Sequence, residues 1–103
     1  MGHLLWNSQH IKNKKVFIRF SCQQFIGNLK KYTKLKIFEC SDCDLDKLPE
    51  LPNSLIHLEC DYNDLTKLPK LPNSLIKLSC SHNNLTELPK LPDMLIELDC
   101  GNN

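Results

Sequence analysis

Three stretches of the chain nearly repeat one another: LPELPNSLIHLECDYNDLTK at 48–67, LPKLPNSLIKLSCSHNNLTE at 68–87 and LPKLPDMLIELDCGNN at 88–103. They align without a gap at a spacing of 20 residues, and a fixed period of that length marks an architecture of stacked repeats. Leu55, Leu75 and Leu95 correspond, as do Leu58, Leu78 and Leu98, then Cys60, Cys80 and Cys100, then Asn63, Asn83 and Asn103. Carried backward, the frame gives Leu35, Phe38, Cys40, Cys43, Leu45 and Leu48-Pro49. One step further lands on Ile18, Phe20 and Phe25, with Val16 ahead of them. The count is therefore five units, the first degenerate and the last incomplete.

Within a unit, Ile56, Leu58 and Cys60 alternate with His57, Glu59 and Asp61, the two-residue period of a short strand with one buried face. The following segment carries two prolines per unit, such as Pro69 and Pro72. Proline removes a ladder donor and holds φ near the polyproline value, so this segment does not pair as a second strand. It is expected to return extended, with its leucines inward. Twenty residues per unit leave no room for a long helix on the way back.

The pattern LPxLPxxLxxLxCxxNxL resembles the short, 20-residue form of the leucine-rich repeat found in bacterial effector proteins and in giant viruses of amoebae, with Cys standing where Leu is usual. The likeness covers 35–103 well and 15–34 poorly, and leaves 1–14 unmatched. It implies a leucine-rich-repeat solenoid of about five coils, with a parallel β-sheet on the concave face and extended, polyproline-like return arms. Residues 1–34 are then a basic amino-terminal segment with a degenerate first repeat, serving as a cap, and 35–103 are the repeats proper. The fold serves many partners, so the resemblance points to protein–protein interaction without naming a partner.

Stacking has a physical rationale. One coil cannot bury its own leucines, but each neighbour covers them. A fully buried Leu contributes about 1.5–3 kcal/mol, against roughly 1–2 kcal/mol of backbone entropy for each ordered residue. Stability must therefore be shared along the stack. The asparagines follow the strand where the backbone turns and leaves peptide groups without ladder partners. A short amide with donors and acceptor satisfies such groups, which makes this a structural column.

The chain has six cysteines. Cys40, Cys60, Cys80 and Cys100 occupy one inward column and Cys43 the asparagine position, so the repeat phase accounts for them as small buried hydrophobes. A zinc site is weakly suggested by Cys40-Ser41-Asp42-Cys43, but the remaining spacing gives no second pair. Disulfides between neighbouring strands would need Cβ vectors that converge, and parallel strands hold them side by side. Cys40-Ser41-Asp42 also spells the nucleophile motif of a ubiquitin-ligase domain carried by some effector relatives, yet its thiol faces the core and the chain has no room for that helical domain. His3, His10, His57 and His82 are dispersed, and three glycines at 2, 27 and 101 build no phosphate loop. The expectation is no enzyme, no cofactor and no metal.

Charge is unevenly spread: residues 1–38 hold eight Lys or Arg and no acid, while 39–103 hold five Lys and twelve acids, giving +8 and −7. A basic arm of this kind can bind nucleic acid or an anionic membrane. Twelve Lys to one Arg argues against nucleic acid, because bidentate phosphate and guanine contacts favour Arg. The arm can equally sit against the acidic remainder of the same chain. No apolar run approaches bilayer length, and MGHLLW is too short for a secretory apolar region, so the chain is expected to be intracellular and away from membranes.

If the parallel sheet forms, its outward positions are Phe17 and Arg19, Ile37 and Glu39, His57 and Glu59, Lys77 and Ser79, and Glu97 and Asp99. Asp61, Tyr62 and His82 follow just beyond the strands, with Asp42. These form the expected partner-binding face: Ile37, Glu39, His57, Glu59, Asp61, Tyr62, Lys77, Ser79, His82, Glu97 and Asp99, acidic toward the carboxyl end. The expected partner is a protein or peptide. Alternatives are substrate recognition for a ubiquitin ligase supplied by another chain, and nucleic-acid binding by the basic arm. The last unit stops before its second Leu and LP, which leaves a carboxyl edge open to self-association.

Overall fold

The computed structural model describes residues 17–19, by their backbone, and 29–103. The expectations placed on 1–16 and 20–28, including Val16, Phe20, Phe25, His3 and His10, lie outside these residues. Five short strands, β1 (Phe17–Arg19), β2 (Ile37–Glu39), β3 (His57–Glu59), β4 (Lys77–Ser79) and β5 (Glu97–Asp99), form one sheet in the order β1-β2-β3-β4-β5. Every pairing is parallel and offset by the sequence period, so that Ile18, Phe38, Leu58, Leu78 and Leu98 stand in one file. The degenerate first unit thus keeps the register of the others. Before β2, Leu29–Lys31 makes a single turn of 3-10 helix with Leu29 wholly buried.

Ladder bonding runs past the three-residue strands. Cys40 N donates to Glu59 O (2.9 Å) and Asp42 N to Asp61 O (2.8 Å), and the same bonds recur at Cys60 and Tyr62 and at Cys80 and His82. The return arms contain neither strand nor helix. Each closes on a turn in which Leu55, Leu75 or Leu95 donates its N–H to the carbonyl of Pro52, Pro72 or Pro92, at 3.1–3.2 Å. Ser54 and Ser74, inside this turn, donate their hydroxyls to Leu35 O (2.6 Å) and Leu55 O (2.5 Å) of the preceding unit. Met94 holds the equivalent position in the last copy, and a thioether cannot make that link.

The core is a bundle of columns. Leu35, Leu55 and Leu75, then Phe38, Leu58 and Leu78, then Cys40, Cys60 and Cys80 are fully enclosed. Leu48, Leu51, Leu65, Leu68, Leu71 and Leu85 complete it from the return arms. The simple alternation expected for each strand fails at its start. Leu55 is the inward residue and Ile56 is only half-buried, because the tight turn brings Leu55 into the core one residue before the extended stretch begins. The next coil covers part of Ile56 and Ile76, whereas Ile96, in the last described coil, is 78% exposed. Leu98 belongs to the central file but is 40% exposed, whereas Phe38, Leu58 and Leu78 are fully buried.

The asparagine column does its work backward along the chain. Asn63 Oδ1 accepts from Cys43 N (3.0 Å) and Leu45 N (2.9 Å), while its Nδ2 donates to Cys40 O (3.1 Å) and Cys60 O (3.0 Å). Asn83 repeats the arrangement with Leu65 N (3.0 Å), Cys60 O and Cys80 O (both 3.1 Å), and Asn103 with Leu85 N (3.1 Å), Cys80 O (3.1 Å) and Cys100 O (2.9 Å). Each amide joins its own coil to the one before. The side chain reaches back toward peptide groups that the previous turn leaves open.

Candidate interaction face

The sheet register fixes two rows of outward side chains. One runs Ile37, His57, Lys77, Glu97 and the other Glu39, Glu59, Ser79, Asp99, with Phe17 and Arg19 in the same backbone register on β1. Inward columns repeat the same residue type from coil to coil, whereas these rows change at nearly every step. Ile37, Glu39, His57, Glu59 and Lys77 are half-buried, and Glu97 and Asp99 are exposed. On β3, His57 Nε2 lies 3.6 Å from Glu59 Oε1.

Two residues expected on this face are otherwise occupied. Ser79 is only 7% exposed, and its hydroxyl donates to both carboxylate oxygens of Asp61, at 2.7 and 2.9 Å. Asp61 Oδ1 also accepts from Ser81 N (2.8 Å) and Ser81 Oγ (3.1 Å), and Asp61 N donates to Ser41 Oγ (3.1 Å). Three donors on one carboxylate, Ser79 Oγ, Ser81 N and Ser81 Oγ, make Asp61 a clamp between coils. Ser79 is withdrawn as a contact residue because the coil-to-coil link consumes it.

The residue just past each strand takes a left-handed turn: φ is 57° at Asp42, 55° at Tyr62, 56° at His82 and 58° at Asn102. Asp44 shares this conformation with φ 55°. Side chains are uncommon there because Cβ crowds the following carbonyl. The turn lines the column up along one rim of the sheet. Tyr62 and His82 consequently stack, with ring centroids 4.2 Å apart and planes 7° from parallel. Asn102 Nδ2 continues the row 3.1 Å from His82 Nε2. Tyr62 remains 57% exposed, the largest aromatic surface among the described residues of the rim. The stack escaped sequence reasoning, although its signal was present: both residues hold one phase of the repeat, next to the asparagine column.

The cysteine column lies behind the face. Cys40, Cys43, Cys60, Cys80 and Cys100 are thiols rather than disulfides, and all but Cys100 are buried. Burial pushes the Cys60 thiol well above its ordinary range, with help from neighbouring Cys40, Cys80, Asp61 and Glu59. Cys80 is pushed up to about 12 by burial first, then by Cys100, Asp61 and Asp99. A thiol kept protonated and away from solvent is a poor nucleophile. On the opposite surface, Lys30 of the basic segment pairs with Glu50 at 3.5 Å, both exposed.

Compared with solved structures, the chain matches a Shigella effector LRR domain with a TM-score of 0.58 and 22% sequence identity, over 95% of this chain and 54% of that one. The fold is that of a leucine-rich repeat. The chain spans about half the length of that leucine-rich-repeat structure. No protein-family model and no curated protein matches it. No helix among the described residues is long and apolar enough to cross a membrane.

Proposed function

We propose that the chain is a non-enzymatic protein-interaction module of the short 20-residue leucine-rich-repeat type, binding a protein or peptide through the concave face of its sheet. One observation carries the reading: strict parallel register gathers the varying strand residues Ile37, Glu39, His57, Glu59, Lys77, Glu97 and Asp99 into one solvent-facing surface. Tyr62 and His82 give it an aromatic rim. Five strands about 4.8 Å apart with about 15 Å of outward length offer on the order of 400 Å², half of the roughly 800 Å² that each partner contributes to a standard interface. A short extended peptide suits that area best. Burial of Leu29 against the first full coil supports the cap role of 1–34, and a core lined with unoxidised thiols suits an intracellular setting.

The test compares two variants of the same chain in a partner-capture experiment. Charge reversal on the face, as Lys77→Glu with Glu97→Lys, is expected to abolish capture of a partner retained by the unaltered chain. Reversal on the return arms, as Lys67→Glu with Lys90→Glu, is expected to leave it intact. Loss only with the return-arm variant, or with neither, overturns the assignment of the face.

A further inference from the structure

Glu39, His57 and Glu59 occupy three corners of a rectangle on the sheet. Glu39 and Glu59 are register partners across β2 and β3, and His57 lies two residues before Glu59 on the same side of the same strand. One ligand atom from each converges so that all three lie within 4.8 Å of one another. The three side chains are half-buried. Yet His57 Nε2 itself is shut off from solvent and has no hydrogen-bond partner. A buried nitrogen left in that state destabilises the fold, and carboxylates facing each other across adjacent strands repel.

A single cation at the centre answers both problems. Imidazole nitrogen directs the choice toward zinc, nickel, cobalt or copper and away from calcium and magnesium, which take oxygen ligands. With metal–ligand bonds of about 2.0–2.1 Å, tetrahedral ligand atoms stand about 3.4 Å apart. The 3.6 Å separation of His57 Nε2 and Glu59 Oε1 is already close to that. A ligand oxygen of Glu39 lies within 4.8 Å of both other ligand atoms. Three protein ligands on an open face leave coordination positions for water or for a donor atom of another molecule.

We propose that Glu39, His57 and Glu59 form an open, three-ligand site for a divalent transition metal of the zinc class on the outward face of the sheet. The proposal stands independently of the interaction reading, since the site needs no protein partner to fill. Cys40, Cys60 and Cys80 do not compete for the ion in the folded chain, because their thiols are enclosed behind the sheet.

The experiment titrates the reduced, metal-stripped full chain with Zn²⁺, and separately with Co²⁺ to read the donor type. One equivalent should bind, with the weak visible absorption of nitrogen and oxygen ligands and without the intense near-ultraviolet band of cobalt–thiolate bonds. Even outer-shell partners of a metal are worth about 10- to 100-fold in affinity, so His57→Gln, Glu39→Gln and Glu59→Gln should each weaken zinc binding by at least about tenfold. Their melting temperatures without metal verify that they fold. Should a variant not fold, the imidazole ¹⁵N resonances of the unaltered chain decide: zinc must shift the His57 signal and leave that of His82 in place. A thiolate band, unchanged affinity in His57→Gln, a stronger uptake of Ca²⁺ than of Zn²⁺, or no uptake at all overturns the proposal.

Discussion

Replacing Asn83 by Ala removes the amide that ties one coil to the next at the centre of the stack. Its Oδ1 accepts from the buried Leu65 N, and its Nδ2 donates to Cys60 O and Cys80 O. The side chain is 6% exposed, so water cannot step in. A buried donor left unsatisfied costs about 1–3 kcal/mol, and each lost hydrogen bond about 0.5–1.5 kcal/mol. Allowing for local relaxation, Asn83→Ala should destabilise the chain by about 2–4 kcal/mol. Asn103 makes the same bonds with nearly the same distances but is exposed. Water can replace it, so Asn103→Ala should cost under about 1 kcal/mol. Urea unfolding, followed by far-UV circular dichroism and by intrinsic fluorescence, measures both, provided that the two probes report one transition. Equal costs for the two variants, or a cost below about 0.5 kcal/mol for Asn83→Ala, would refute the idea that the column acts by satisfying buried peptide groups.

The leucine file offers a parallel contrast: Leu78→Ala should cost about 2–5 kcal/mol, and Leu98→Ala, at a position already 40% exposed, clearly less in the same urea experiment. At Tyr62, whose φ is 55°, the Gly variant should be more stable than the Ala variant by about 1 kcal/mol, the reverse of the usual order, because Ala keeps the Cβ that crowds a left-handed turn. Thermal melts of the pair check this, and an Ala variant at least as stable as the Gly variant contradicts it. Thiol alkylation of the native chain at pH 8, read by mass spectrometry, should modify Cys100 before Cys40, Cys60 or Cys80, which react only on unfolding. Burial raises the Cys60 and Cys80 thiols in the folded state, Cys80 to about 12, while the unfolded chain releases these protons near about 8.5. The folded chain then holds more protons, so stability is level below about pH 8.5 and falls by about 1.4 kcal/mol per pH unit per thiol above it. Chemical unfolding at pH 8, 9 and 10 checks this, and a flat profile contradicts it.

Architecture was legible because period 20 is so regular that register, strand order and the inward columns all follow from alignment alone. The same alignment placed Ile18 opposite Phe38 even in the degenerate unit. It misled at Ile56, where a turn rather than an extended strand sets the side chain's direction. It also misled at Asp61 and Ser79. Their pairing depends on Ser41, Ser79 and Ser81, residues that vary between units and so carry no periodic signal. Convergence of Glu39, His57 and Glu59 was hidden for a similar reason, since it arises across two strands and only one of those strands carries a histidine at that phase.

The backward reach of Asn63, Asn83 and Ser74 gives the stack a polarity that its smooth repetition conceals. Cut the backbone between two units, and the fragments inherit unequal shares. The leading piece loses the asparagine oxygen that its Leu45 or Leu65 amide was using, while the trailing piece keeps that asparagine and loses one of the carbonyls to which its Nδ2 donates. A whole inserted unit should therefore be accepted wherever its successor supplies the missing asparagine.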